Sequence, residues 1–243
     1  MTETFAALLA AHMAADFVLQ TGAMVRGKGR PLWMAAHAAI VLGTATLTTG
    51  TLHPALFALT LAHAGIDAAK TLSRSTGFVA FVLDQSAHLA TLALVALLVP
   101  GLWASGLWAS GHVADLSTLP ALYALFAGAV VAVRAGGFGI GLLMAPWAAA
   151  IPLDGLPGGG RVIGYLERGL IFLMILGGLP EGIGFLIAAK SVLRFGTVRE
   201  EAKLSEYVII GTLASFGWAL LAAWATIALL SRLPPLGIPS FPP

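Results

Sequence analysis

Cysteine is absent from the 243 residues. This excludes a disulfide framework, thiolate catalysis and thiolate metal ligands, so any metal held here must use nitrogen and oxygen donors. Charge is scarce as well. Only 10% of the residues are Asp, Glu, Lys or Arg, against about one quarter in globular domains. The formal net charge is +2 and the isoelectric point lies near 9.2. The basic residues are scattered through short loops rather than clustered, which speaks against a nucleic-acid partner. No cleavable signal peptide is expected: the first apolar stretch follows the acidic Glu3 and itself contains His12 and Asp16, so it reads as a membrane helix.

What fills the chain is apolar sequence, 58% of residues, with a mean hydropathy of +0.92. The apolar runs are long enough for helices that cross a hydrocarbon core of about 30 Å, and they lack the strict alternation of a membrane barrel. The expected fold is all-α, a polytopic helical membrane protein with about seven or eight hydrophobic helices. Its first part is a four-helix bundle carrying histidine and aspartate.

The first helix is expected over Glu3 to Thr21, followed by a loop, Gly22 to Arg30, with Arg26, Lys28 and Arg30. Short basic loops stay cytoplasmic, which puts the N-terminus outside. Pro31 suits the first turn of a second helix that runs to Thr49 and carries His37. A turn with His53 leads into the third segment, Leu52 to Leu72, which ends near Lys70 and Arg74, and the fourth runs from Thr76 to Pro100. The tandem Leu-Trp-Ala-Ser-Gly at 102–106 and 107–111 reads as an outer amphipathic or partly re-entrant loop with interfacial tryptophans. A fifth helix covers Pro120 to Arg134, with an extension through the following glycines as an alternative. Residues 135–164, rich in glycine and proline, read as a flexible interfacial connection; neither Gly137, Gly139 and Gly141 nor Gly158 to Gly160 has the ending of a phosphate-binding loop. Val162 to Phe195 reads as a hairpin broken at Gly178 to Gly182, and the last helix as Ser205 to Leu230, with a proline-rich tail beyond. Three regions result: 1–100 with the His/Asp site, 101–164 with the loop, fifth helix and connection, and 165–243 with the C-terminal helices.

Within this apolar sequence one device recurs. His12 and Asp16, His63 and Asp67, and Asp84 and His88 each stand four residues apart, so each pair shares a helix face. Counted from the basic ends of their helices, Asp16, His37, Asp67 and Asp84 lie about five to seven residues in, and His12, His63 and His88 one turn deeper. Such groups cost about 2.5–3.5 kcal/mol each at the centre of a membrane helix and need partners. A network of His–Asp hydrogen bonds gluing the helices would supply them. The coincidence of depth on four helices points instead to a divalent metal, zinc first, with His12, His63 and His88 as ligands and Asp16, Asp67 and Asp84 as ligands or orienters of the imidazoles. A bound ion lowers the pKa of its water to about 7, and His37 or Asp16 is then a candidate acid or base. Lys70 and Arg74 continue the stripe of His63 and Asp67, either as snorkelling cations or as a seat for the phosphate or carboxylate of a lipid-like substrate. Glu167 with Arg168, and Glu206, read as interfacial caps or ion pairs; Lys190 and Arg194 read as snorkelling cations. The expected function is a metal-dependent hydrolase acting beside membrane lipids. A proton- or cation-coupled transporter or channel is the rival, and a non-catalytic assembly module, a homo-oligomer included, is a third reading.

The runs His12-Met-Ala-Ala-Asp16-Phe-Val-Leu-Gln20, His63-Ala-Gly-Ile-Asp67 and Asp84-Gln85-Ser-Ala-His88 resemble the motifs of a bacterial membrane family, domain of unknown function 3307, over residues 5–130. Val162 to Arg168, Ile183 to Ser191 and Glu206 to Thr212 are similar to the second half of its longer members. The resemblance implies residence in a bacterial inner membrane, implies no particular chemistry, and draws attention to Glu167, Lys190 and Glu206.

Overall fold

The structure is a computed structural model and describes residues 1–111, 116–149, 156–194 and 202–236. The described residues are helical and contain no strand. They form α1 (Thr2–Ala14), continued by a π-helical turn (Ala15–Leu19), α2 (Gly22–Gly27), α3 (Pro31–Thr49), α4 (Pro54–Ser73), α5 (Phe78–Leu98) and α6 (Leu119–Val130). A second π turn (Val131–Ala135) leads into α7 (Gly136–Ala148), followed by α8 (Gly159–Leu176), α9 (Glu181–Arg194) and α10 (Ala202–Leu230).

Among the described residues, five stretches are long and apolar enough to cross a membrane, Thr2–Leu19, Pro31–Thr49, Phe78–Leu98, Leu119–Ala148 and Lys203–Leu230, and they mark a membrane protein. This is fewer than the seven or eight hydrophobic helices expected. Two causes are visible: α4 is diluted by His63, Asp67 and Lys70, and α8 carries Arg161, Glu167 and Arg168.

The chain divides into two compact units. In the first, Met1–Val130 with Ala228–Ile238, α1 packs against α3, α5 and α6, and α4 joins α3 to α5, closing a ring α1–α3–α4–α5. Alanines at 6, 7, 10, 11 and 15 are buried on α1, and such small side chains let neighbouring backbones approach closely. Local sequence sets the ends of the ring helices. Pro31 occupies the first turn of α3, and Gly50 ends it in the left-handed conformation (φ 67°). His53 caps α4, its Nδ1 accepting from the Ala55 N–H at 3.1 Å. Between the helices lies an apolar layer of Leu8, Ala11, Ala45, Leu56, Leu59, Leu92 and Leu102.

The tandem Trp segment, expected as a loop, is a string of turns folded onto the helix ends. Leu102 and Trp103 are buried, the Trp103 N–H donates to Thr4 Oγ1 at 3.2 Å, and the Thr4 hydroxyl donates to the Pro100 carbonyl at 2.9 Å. Trp108 Nε1 donates to the Leu47 carbonyl at 2.6 Å. The expected loop Gly22 to Arg30 contains α2, whose cap is Thr21 Oγ1 accepting from the Met24 N–H at 3.3 Å.

The second unit comprises Val131–Ile227 and Pro239–Pro243. Residues 136–148, expected to be irregular, are helical despite their glycines and Pro146. A Cβ on Gly136 or Gly137 would run into Trp218 or Tyr165, so these glycines serve helix packing rather than flexibility. Carbonyls within the π turn are taken up by side chains: Trp218 Nε1 donates to Val131 O at 2.8 Å and the Arg168 guanidinium to Val133 O at 3.2 Å, its other arm reaching Ser215 Oγ at 2.9 Å. The expected hairpin is present, broken at Gly177 to Pro180, and Lys190 on α9 reaches back to Glu167 on α8 at 2.8 Å. The tail beyond residue 236 and the loop residues 112–115 and 195–201, His112 among them, lie outside the described residues.

Candidate metal centre

Each helix of the ring turns its titratable residues inward: α1 and its π turn bring His12 and Asp16, α3 brings His37, α4 His63 and Asp67, and α5 Asp84 and His88. His37 and His88 are 1% exposed, so little water reaches them. The spacing of four keeps each pair together on its helix. Asp16 sits in the π turn, a geometry that recurs at functional sites.

The closest convergence is a triangle. Asp16 Oδ1 lies 3.3 Å from His37 Nε2 and 3.4 Å from His63 Nε2, and the two nitrogens are 3.2 Å apart. Donors bound at about 2.0–2.1 Å around a tetrahedral zinc stand about 3.3 Å from one another, whereas neighbouring donors around an octahedral magnesium at similar bond lengths stand about 2.9 Å apart. The observed edges match the tetrahedral value. Asp67 Oδ2 lies 3.5 Å from His37 Nε2 and 3.8 Å from His63 Nε2.

Protons alone satisfy this group poorly. One proton joins the two imidazole nitrogens, while Asp16 Oδ1 and Asp67 Oδ2 are buried with no hydrogen bond. Two N–H groups would collide across 3.2 Å, and two bare nitrogens would leave four lone-pair donors facing one another. An unsatisfied buried acceptor costs about 1–3 kcal/mol, more when charged. A cation would turn all four atoms into ligands.

Charge counting points the same way. Asp67 Oδ1 is paired with Lys28 Nζ at 2.6 Å, and Asp84 Oδ2 with Lys70 Nζ at 2.8 Å. Asp16 has no lysine or arginine partner among the described residues; it meets only His12, His37 and His63. The described cluster therefore carries one carboxylate more than it has lysines to balance.

His37, expected from sequence as an acid or base, stands here in the triangle with Asp16 and His63. Three sets of residues each place one donor atom within 4.8 Å of the others and could hold a metal: Asp16, His37 and His63; His12, Asp16 and His88; His63, Asp67 and His88. Asp84 belongs to none of them; its carboxylate takes Lys70 and the Gln85 amide, the latter at 3.2 Å. Sequence reasoning missed Lys28 and Gln85 as members of the cluster. Gln85 follows Asp84 directly and was legible as a polar residue on an apolar helix; Lys28 pairs with a residue 39 positions away and gave no local signal.

The centre is closed on one side. The apolar layer occupies the helical turns before His12 and His63 and after His37 and His88. On the opposite side stand Lys28 and Lys70, with side chains 18% and 35% exposed. In the second unit Glu167, Lys190 and Arg168 form the separate ion pair and hydrogen bonds described above, and no candidate metal set includes them.

No curated protein and no solved structure matches the chain. Residues 4–110, the segment that carries every residue of the centre, match the family described as "Protein of unknown function (DUF3307)".

Proposed function

We propose that the ring α1–α3–α4–α5 is an intramembrane divalent-metal centre and that the protein is a metal-dependent hydrolase of a lipid-like substrate, working at the cytoplasmic face of a bacterial inner membrane. The observation that carries the reading is the triangle of Asp16 Oδ1, His37 Nε2 and His63 Nε2, with edges of 3.2–3.4 Å and a buried Asp16 oxygen that has no hydrogen bond. Asp67 Oδ2 completes the donor set. Nitrogen and oxygen donors in this geometry suit zinc.

A bound divalent ion supplies a water acidic enough to yield hydroxide near neutral pH. The chain does the rest. Lys28 holds Asp67 by its outer oxygen and leaves the inner one turned towards His37 and His63. The apolar layer keeps water from entering behind the centre and raises the strength of every interaction within it. Lys28 and Lys70, at the open side, are placed to receive the phosphate or carboxylate of a substrate presented from the headgroup level. The same apolar layer speaks against a polar path for ions across the bundle, and so against the transporter reading.

The test is metal content by inductively coupled plasma mass spectrometry on detergent-purified protein, paired with hydrolysis of lipid phosphoesters, esters and amides. At least one divalent ion per chain is expected, lost in His63→Ala at equal folded yield, together with hydrolysis that disappears on chelation. A wild-type protein that takes up no ion after incubation with zinc and manganese overturns the proposal.

A further inference from the structure

We infer that the cluster holds a second divalent ion, bound by His12, His88 and the carboxylate of Asp16, so that Asp16 bridges a dinuclear centre. The inference rests on the metal centre proposed above and extends it to a second set of donors.

The argument begins with protons. Lys70 Nζ and the Gln85 side-chain amide both donate to Asp84 Oδ2, at 2.8 and 3.2 Å. The amide nitrogen of Gln85 is thereby committed, and its oxygen faces His12 Nε2 at 3.2 Å. A carbonyl oxygen only accepts, so His12 carries its proton on Nε2 and presents a bare lone pair on Nδ1. His88 is fixed by a separate contact. Its Nδ1 lies 2.8 Å from the backbone carbonyl of Asp84, again an acceptor only, so the proton sits on Nδ1 and Nε2 is bare. Both bare nitrogens, His12 Nδ1 and His88 Nε2, are buried and have no partner.

Two imidazoles whose tautomers are set by neighbouring acceptors, each leaving an unpartnered nitrogen in a buried site, have the arrangement of metal-bound histidines with their outer supports. One donor atom each from His12, Asp16 and His88 lies within 4.8 Å of the others, and His12 Nδ1 is 3.8 Å from Asp16 Oδ1. The rings of His12 and His88 stack at 5.1 Å, and that of His88 lies 4.1 Å from that of His63, so this set adjoins the first. Asp16 is common to both sets, its Oδ1 facing His12 as well as His37 and His63. Paired catalytic ions stand about 3.5–4 Å apart and clamp both the attacking and leaving oxygens of a phosphoryl displacement. The second ion therefore directs the search for a substrate to lipid phosphoesters ahead of carboxylic esters and amides.

Metal stoichiometry tests this without any variant. Protein saturated with manganese and freed of excess is expected to hold two ions per chain and to give the electron paramagnetic resonance signal of an exchange-coupled pair. His12→Ala is expected to hold one ion and to show an uncoupled signal, and Gln85→Leu, which releases the His12 tautomer and leaves Asp84 Oδ2 to Lys70 alone, to weaken the second ion about 10- to 100-fold while leaving the first. One ion per chain in the saturated wild type overturns the second site and leaves the first standing. No ion overturns both. Two coupled ions retained in His12→Ala would overturn the assignment of His12 as a ligand.

Discussion

Replacing Asp16 by Asn separates the metal reading from a purely structural one, because the two give different answers with and without metal. The substitution preserves size and removes one negative charge. In the metal-free protein that charge is buried, faces three imidazoles and has no lysine partner, so its loss leaves no cation stranded and stability is expected to hold or rise. With metal the sign reverses. A ligand present at 100 times its dissociation constant stabilises the folded state by about 2.7 kcal/mol, and for a chain of this size that raises the melting temperature by about 5–11 °C. If the variant binds 100-fold more weakly, the same metal concentration gives about 0.4 kcal/mol, a shift of about 1–2 °C. The assay is thermal unfolding in detergent followed by the fluorescence of the six tryptophans, with chelator and with added zinc. Wild type and Asp16→Asn are expected to melt together, or with the variant higher, in chelator, and to part by several degrees in zinc. An equal zinc shift in both proteins, or a variant several degrees less stable in chelator, would refute the reasoning.

Two further substitutions probe other parts of the fold. Lys70→Ala leaves the buried Asp84 carboxylate with Gln85 as its remaining donor, so its cost in stability is expected to be about 1–3 kcal/mol; steady-state kinetics on an anionic lipid substrate should show KM raised severalfold with kcat little changed. Arg168→Leu in the second unit breaks the bonds to Ser215 Oγ and the Val133 carbonyl and should cost about 2–4 kcal/mol, read as a lower melting temperature with an unaltered zinc shift.

The parts of this architecture that depend on local chemistry were legible in the sequence. Pro31 and Gly50 bound α3 as a helix-starting proline and a left-handed glycine require, and the three His/Asp pairs declare their shared faces through spacing alone. What sequence could not supply is long-range choice. Nothing near Lys28 says that it pairs with Asp67 rather than with a lipid headgroup, and His37, which has no acidic neighbour on its own helix, became a member of the triangle only through the packing of α3 on α1 and α4. The glycines of 136–148 misled for another reason. Glycine and proline weaken helices in water, where a freed backbone finds solvent; in apolar surroundings every N–H and C=O must be satisfied internally, so the helix persists and the glycines become contact surfaces.

The π turn at Ala15–Leu19 has a further consequence for how the first helix divides its labour. One additional residue accommodated within a turn offsets everything beyond it by about 100°, the angle a residue subtends in an α-helix. The alanine ridge before the turn and the carboxylate within it are therefore aimed independently: the ridge can satisfy α3, α5 and α6 while Asp16 answers only to the histidines. Loss of a single residue here would restore an unbroken α-helix that still packs but looks elsewhere, making this turn the place where the chain can keep its architecture and surrender its chemistry.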